Sequence, residues 1–190
     1  METWVWIVIA VVVAAALVLV LALVSVAAKK RRRAQLQQRE HLQERFGPEY
    51  DRAVSSSGRK DAEQRLSDVD REHEGLDIRP LSASARERYL DEWQQAEARF
   101  VNDPKDAARS AERVVARVLA DRGYPADADT EAQAAHVAVD HPDVVERYRH
   151  GHAMLASDNG DQDTEDLRKA MIDFRSVFDE LVTDDTRTKA

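Results

Sequence analysis

One stretch of this chain concentrates side chains that bind metals or move protons: His136, Asp140, His141, Glu146, His150 and His152. Imidazoles and carboxylates are zinc and iron ligands, and on a helix two of them share a face at a spacing of three or four. The histidine spacings work against a site. His136 and His141 are five apart and straddle the break at His141-Pro142. His150 and His152 are two apart and point to different faces of a helix. Neither a His-Glu-x-x-His nor a Glu-x-x-His string occurs. The expectation is therefore histidines at the surface or at helix caps, His141 capping a helix opened by Pro142, with no metal and no cofactor.

Other chemistries find even less. There is no Cys, hence no thiolate site and no Cys nucleophile. The six glycines are scattered singly, so no Gly-rich phosphate loop is present, and no G-x-S-x-G elbow occurs. Carboxylates are spread over all polar faces, where Glu-Lys and Glu-Arg neighbours read as a solvated surface. Tyr89, Trp93 and Phe100 recur at helical spacing and read as core rather than as the wall of a ligand pocket. The chain is not expected to be an enzyme.

The elements that would carry these residues are helices. Charged residues make up 34% of the chain, Gly is scarce, and strand-like alternation is absent. Punctuation divides the chain. A helix runs through Ala34 to Arg45 and stops at Phe46-Gly47-Pro48; Pro48 opens a short helix through Val54, and Ser55 to Gly58 form a joint. A helix over Arg59 to Glu74 carries Ala62, Leu66, Val69 and His73 on one face, with Gly75 as its C′ residue. Leu76, Ile78 and Leu81 mark a packed connector. The next helix opens near Ser82 or Ser84, with Ser84 and Glu87 as a capping box. Its stripe is Tyr89, Leu90, Trp93, Ala96, Phe100 and Val101.

Asp103 and Pro104 start a further helix, with a stripe from Ala107 to Leu119, and Gly123 ends it. Short helices from Thr130 to Val139 and after His141-Pro142 follow; Gly151 weakens the second by about 1 kcal/mol relative to Ala. The last helix, capped by Asp163 or Thr164, carries Leu167, Ala170, Met171, Phe174, Val177, Phe178 and Leu181. The fold class is all-α, a small helical bundle.

The N-terminus sets how that bundle is held. Trp4 to Ala28 is an apolar run, followed by Lys29, Lys30, Arg31, Arg32 and Arg33. About 20 apolar residues cross a bilayer core, so the run is long enough for a transmembrane helix. A cleaved signal peptide would carry its cations before the run, and here Met1-Glu2-Thr3 has none. The positive-inside rule places the N-terminus outside and the C-terminal domain in the cytoplasm, with Trp4 and Trp6 at the outer interface. The expected division is 1–28 transmembrane helix and outer tail, 29–58 basic juxtamembrane stalk and joint, 59–182 cytoplasmic helical domain, and 183–190 polar tail.

The five cations also suit anionic lipid headgroups, at about 1 kcal/mol each near the surface. Nucleic acid is excluded as a partner: Glu2 and those five cations aside, acids outnumber bases 35 to 23, and no basic patch follows Arg33.

Four strings in order carry a resemblance: Leu76-Asp77-Ile78-Arg79-Pro80-Leu81-Ser82; Asp121-Arg122-Gly123-Tyr124-Pro125; Val139-Asp140-His141-Pro142-x-Val144-Val145-Glu146-x-Tyr148-Arg149; and Thr164-Glu165-Asp166-Leu167-Arg168-x-Ala170-Met171. Together they resemble small actinobacterial single-pass membrane proteins of unknown function, over roughly residues 40–182. The resemblance implies the same tethered architecture and assigns no catalytic or binding residue. Gly151 and the Ala-Asp-Ala-Asp stretch at 126–129 depart from the group's pattern. The functional expectation is a membrane-anchored interaction or scaffold module that binds lipid through its anchor and a protein through its domain. The alternative is a membrane-tethered ligand-sensing domain, with its pocket near Trp93 and the region from His136 to His152.

Overall fold

The computed structural model describes residues 29–30, 32–126, 128–156 and 163–183. The apolar run from Trp4 to Ala28, and with it Trp4 and Trp6, lies outside the described residues, as do Arg31 and 184–190. No helix among the described residues is long and apolar enough to cross a membrane. Residues 1–41 form one unit and 42–190 another. In the first, the described residues are helical, and Lys29, Lys30, Arg32 and Arg33 are exposed.

All regular structure among the described residues is helical. Helix α1 covers 32–46, and its last turn, from Leu42, belongs to the second unit. There follow α2 (Pro48–Ser57), α3 (Arg59–Glu74), α4 (Ala83–Arg99), α5 (Pro104–Arg122), α6 (Thr130–Asp140), α7 (Val145–Ala156) and α8 (Thr164–Thr183).

Local chemistry explains most of the ends. Ser82 and Asp103 accept from the amides of Ala85 and Asp106, and Asp129 accepts from Ala132, each satisfying an otherwise orphaned N-terminal donor. The cap of α4 is thus Ser82, one residue before the helix, and Ser84 lies inside it. Ser55 and Ser57, expected in a loop, sit in the last turn of α2, where their hydroxyls donate to the carbonyls of Asp51 and Ala53. Gly75 stays right-handed at φ −84°, so the expected left-handed stop is absent there. Gly123 does end α5 left-handed, at φ +100°. A Cβ there would collide with the carbonyl oxygen of Asp77, because the 76–82 connector crosses directly over it and Arg79 N donates to Arg122 O at 2.9 Å.

The core lies where α8 packs between α5 and α7, with α4 against α5. Trp93 of α4 stacks on Phe178 of α8, ring centroids 4.7 Å apart. Phe174 is fully buried, and Gly151 explains how α7 comes so near: a Cβ there would meet the Phe174 ring at 3.0 Å. Burying such an aromatic is worth roughly 1.5–3 kcal/mol. Of the stripe expected on α4, Tyr89, Trp93 and Ala96 are buried, whereas Leu90 is exposed and Val101, beyond the helix, is 87% exposed. Arg122 is buried and donates to the Leu181 carbonyl, covering the end of α8 with positive charge.

One expected boundary moves. Residues 29–58 read as a polar stalk, yet Leu42, Phe46, Tyr50 and Ala53 are all buried in the core. The compact unit therefore begins at Leu42. Four well-spaced apolar residues suffice because α2 doubles back on α3, and Tyr50 donates to Glu63 while Arg45 pairs with Asp70.

Candidate functional site

The histidines do not converge on one point; they are distributed as partners of carboxylates on other elements. His73 of α3 meets Asp140 of α6 at 3.0 Å, and His136 of α6 lies 3.8 Å from Glu72 of α3. His141, the residue after α6, meets Glu180 of α8 at 3.2 Å. From α7, His150 pairs with Asp173 of α8, and His152 with Glu112 of α5 at 2.9 Å. Two expectations change. His136 and His141 are buried rather than at the surface, and His141 closes α6, since α7 begins only at Val145 after a turn. Among the described residues, no three His or carboxylate side chains are placed to hold a metal ion.

The densest group joins α3, α6 and the loop after α5. The His73 and His136 rings stack with centroids 6.0 Å apart and 22° between planes, and Tyr124 lies 6.1 Å from His73. Asp140 accepts from the Tyr124 hydroxyl at 2.8 Å on the oxygen that faces His73. Burial pushes the Asp140 carboxyl up, but the His73 hydrogen bond and charge, with Tyr124 and His141, hold it below the usual carboxylate range. Burial, and then the neighbouring His73 charge, hold His136 below the ordinary imidazole value, with Glu72 opposing.

A second polar group fastens α2. Glu49, 1% exposed, accepts two hydrogen bonds from Arg52 and two from Arg149, at 2.7–3.0 Å. Both guanidiniums also reach Glu131 of α6, and Arg149 reaches Glu146 at 3.2 Å. Burial raises Glu131, but Arg149 and Arg52 outweigh it and keep its carboxyl below its ordinary value. Glu146, a candidate ligand by sequence, is thus the exposed edge of an ion-pair network. Nearby, Tyr148 donates to Gln133, which donates to Pro125 O at 2.9 Å; burial, then Glu112, push the phenol up. These arrangements fasten helices, and none presents an activated nucleophile.

The third feature is a surface cleft of about 430 Å³ between the end of α4 and the first half of α8. Phe100, Met171 and Ile172 supply its apolar lining, and Glu97, Arg168 and Arg175 its polar one. Ile172 is 48% exposed. Arg175 bridges to Glu97 at 2.8 Å and lies over the Trp93 ring, while Arg168 is held by Glu165. Trp93 itself, 1% exposed, is core beneath this seam rather than pocket wall.

The cluster built around His73 was missed by sequence reasoning. His136 and Asp140 are four apart and share a face of α6, a spacing that was legible; that His73 completes the group from α3 was not, since helix pairing is set by the fold. No protein-family model, curated protein or solved structure matches this chain.

Proposed function

We propose that this chain is a membrane-anchored helical docking module: a single-pass protein, N-terminus outside, whose unit from Leu42 onward lies in the cytoplasm and binds a protein partner. Membership of the actinobacterial group that the four strings resemble is part of this proposal. The anchor reading rests on the run from Trp4 to Ala28, and the orientation on the cations at 29–33. Those of the cations that are described are solvent-exposed on a helix, accessible to anionic headgroups. No role is assigned to nucleic acid or to a cofactor, and the domain is not read as an enzyme.

The observation that carries the docking reading is the α4–α8 cleft. Its apolar floor, flanked by guanidiniums, has the composition that recurs in protein interfaces, where aromatic residues, Met and Arg are enriched. The test is proximity labelling from the C-terminus in wild type and in Ile172→Glu. Ile172 is half exposed, so the change should leave stability within about 0.5 kcal/mol. Loss of a defined set of labelled proteins is expected; an identical set in both chains would refute the docking site. A reporter active only in the cytoplasm, fused after Ala190, should be active, and activity only from an exported-side reporter would overturn the orientation.

The second reading, a ligand-sensing domain, is favoured by the cleft's volume, which lies in the range of about 300–1,000 Å³ typical of small-molecule sites. A small molecule that raises the melting temperature of wild type but not of Ile172→Glu would support it over a protein partner.

A further inference from the structure

We propose that the contact between α3 and α6 is a proton-operated latch, closed while His136 is neutral and opened when His136 takes a proton. Two imidazoles, both more than nine-tenths buried, face each other across the helix interface at a centroid distance of 6.0 Å. Asp140 is already engaged by His73 Nε2 and the Tyr124 hydroxyl. Asp140 is therefore committed to His73. A proton on His136 meets the His73 charge on the stacked ring, and its ion-pair partner Glu72 is 3.8 Å away and 71% exposed. Solvent weakens that attraction, while the repulsion acts through the buried interface. Nδ1 of each ring has no hydrogen-bond partner, so the His73 ring is held by Nε2 on Asp140 alone.

The groups around the latch respond differently to acid. His141, His150 and His152 each lie against a carboxylate of a neighbouring helix, Glu180, Asp173 and Glu112, so α6 and α7 stay fastened to α8 and α5. The Glu49 fork to Arg52 and Arg149 holds α2, and Glu131 beside it stays ionised. On α3 itself, Tyr50 donates to Glu63, and Asp70, one turn before His73, pairs with Arg45. Acid thus frees the His73 end of α3 from α6, two helices that carry the buried Leu66, Val137 and Ala138, while the rest of the unit holds.

The sign and size follow from linkage. A histidine that takes a proton at about 6.5 when free and less readily in the closed state raises the opening equilibrium between pH 7.5 and 5.5, by up to about tenfold at the limit. Deuterium exchange of the full-length chain in detergent micelles reads this directly, after correction for the intrinsic pH dependence of exchange. Amides of 66–76 should exchange up to tenfold faster at pH 5.5, with those of α2 and α8 unchanged. In His136→Gln the acceleration should vanish. Glu72→Gln, at an exposed position, keeps the test open should that variant not fold: it should enlarge the acid response. Equal rates at both pH values in wild type, acceleration that persists in His136→Gln, acceleration shared by α8, or no enlargement in Glu72→Gln would each overturn the latch.

Discussion

Phe174→Ala should destabilise the unit by about 3–5 kcal/mol, and Trp93→Ala by a similar amount, because each ring is fully enclosed and the cavity left behind cannot collapse onto solvent. In a thermal melt this is a fall of roughly 10 °C; an unchanged melt for either would remove that ring from the core. Gly151→Ala should also lower the melt, against the usual gain from Ala in a helix, since the new methyl presses on the buried Phe174 ring. Trp93 and Phe174 were legible because three- and four-residue spacing singles out the buried face of a helix. Gly151 was legible as a weak point in α7 but not as a contact, since its role depends on what lies opposite. The histidines were misread for the same reason. His73 sits in an otherwise apolar stripe, and that oddity was the signal available; its partner on α6 is more than sixty residues away.

At the scale of elements, the fork on Glu49 makes a sharp prediction about how α2 is held. Arg149→Met leaves a carboxylate that is 1% exposed with one guanidinium instead of two, and should cost about 3 kcal/mol; Arg52→Met removes the more exposed partner and should cost less. Chemical denaturation of the two variants ranks them, and the reverse order would mean that Arg52 is the principal partner. Helix identities and most ends were legible, since Pro104, Asp103 and Gly123 punctuate the chain by backbone chemistry that needs no tertiary context. The assignment of α2 was not. Its apolar residues are Tyr50, Ala53 and Val54, too few to announce a buried face, and its main fastening is an ion pair spanning 100 residues.

For the whole molecule, the boundary at Leu42 changes where the domain can be cut. A chain beginning at Leu42 should be helical and melt cooperatively. One beginning near Ser57 loses Leu42, Phe46 and Tyr50, each worth roughly 1.5–3 kcal/mol of burial, against a total stability of about 5–15 kcal/mol. It should melt far lower or not fold, and equal melts would restore the stalk. The longer chain should also carry no stoichiometric zinc or iron, and a chelator should leave its melt unchanged; about one metal per chain, lost in His73→Ala with His136→Ala, would overturn that. All-α architecture was legible at this scale from composition and period. The arrangement of α2 and α3 against α6 was not, because polar pairs between helices leave no periodic trace.

That arrangement has a mechanical meaning. A load drawn through the residues before Leu42 enters the folded unit at the last turn of α1, so Phe46 and the Glu49 fork bear it first. The α2–α3 hairpin is next in line, and the connector behind it is pinned over Gly123. The fork is then a shear pin on the hairpin, and the connector a stitch behind it, ahead of α4, α5 and α8.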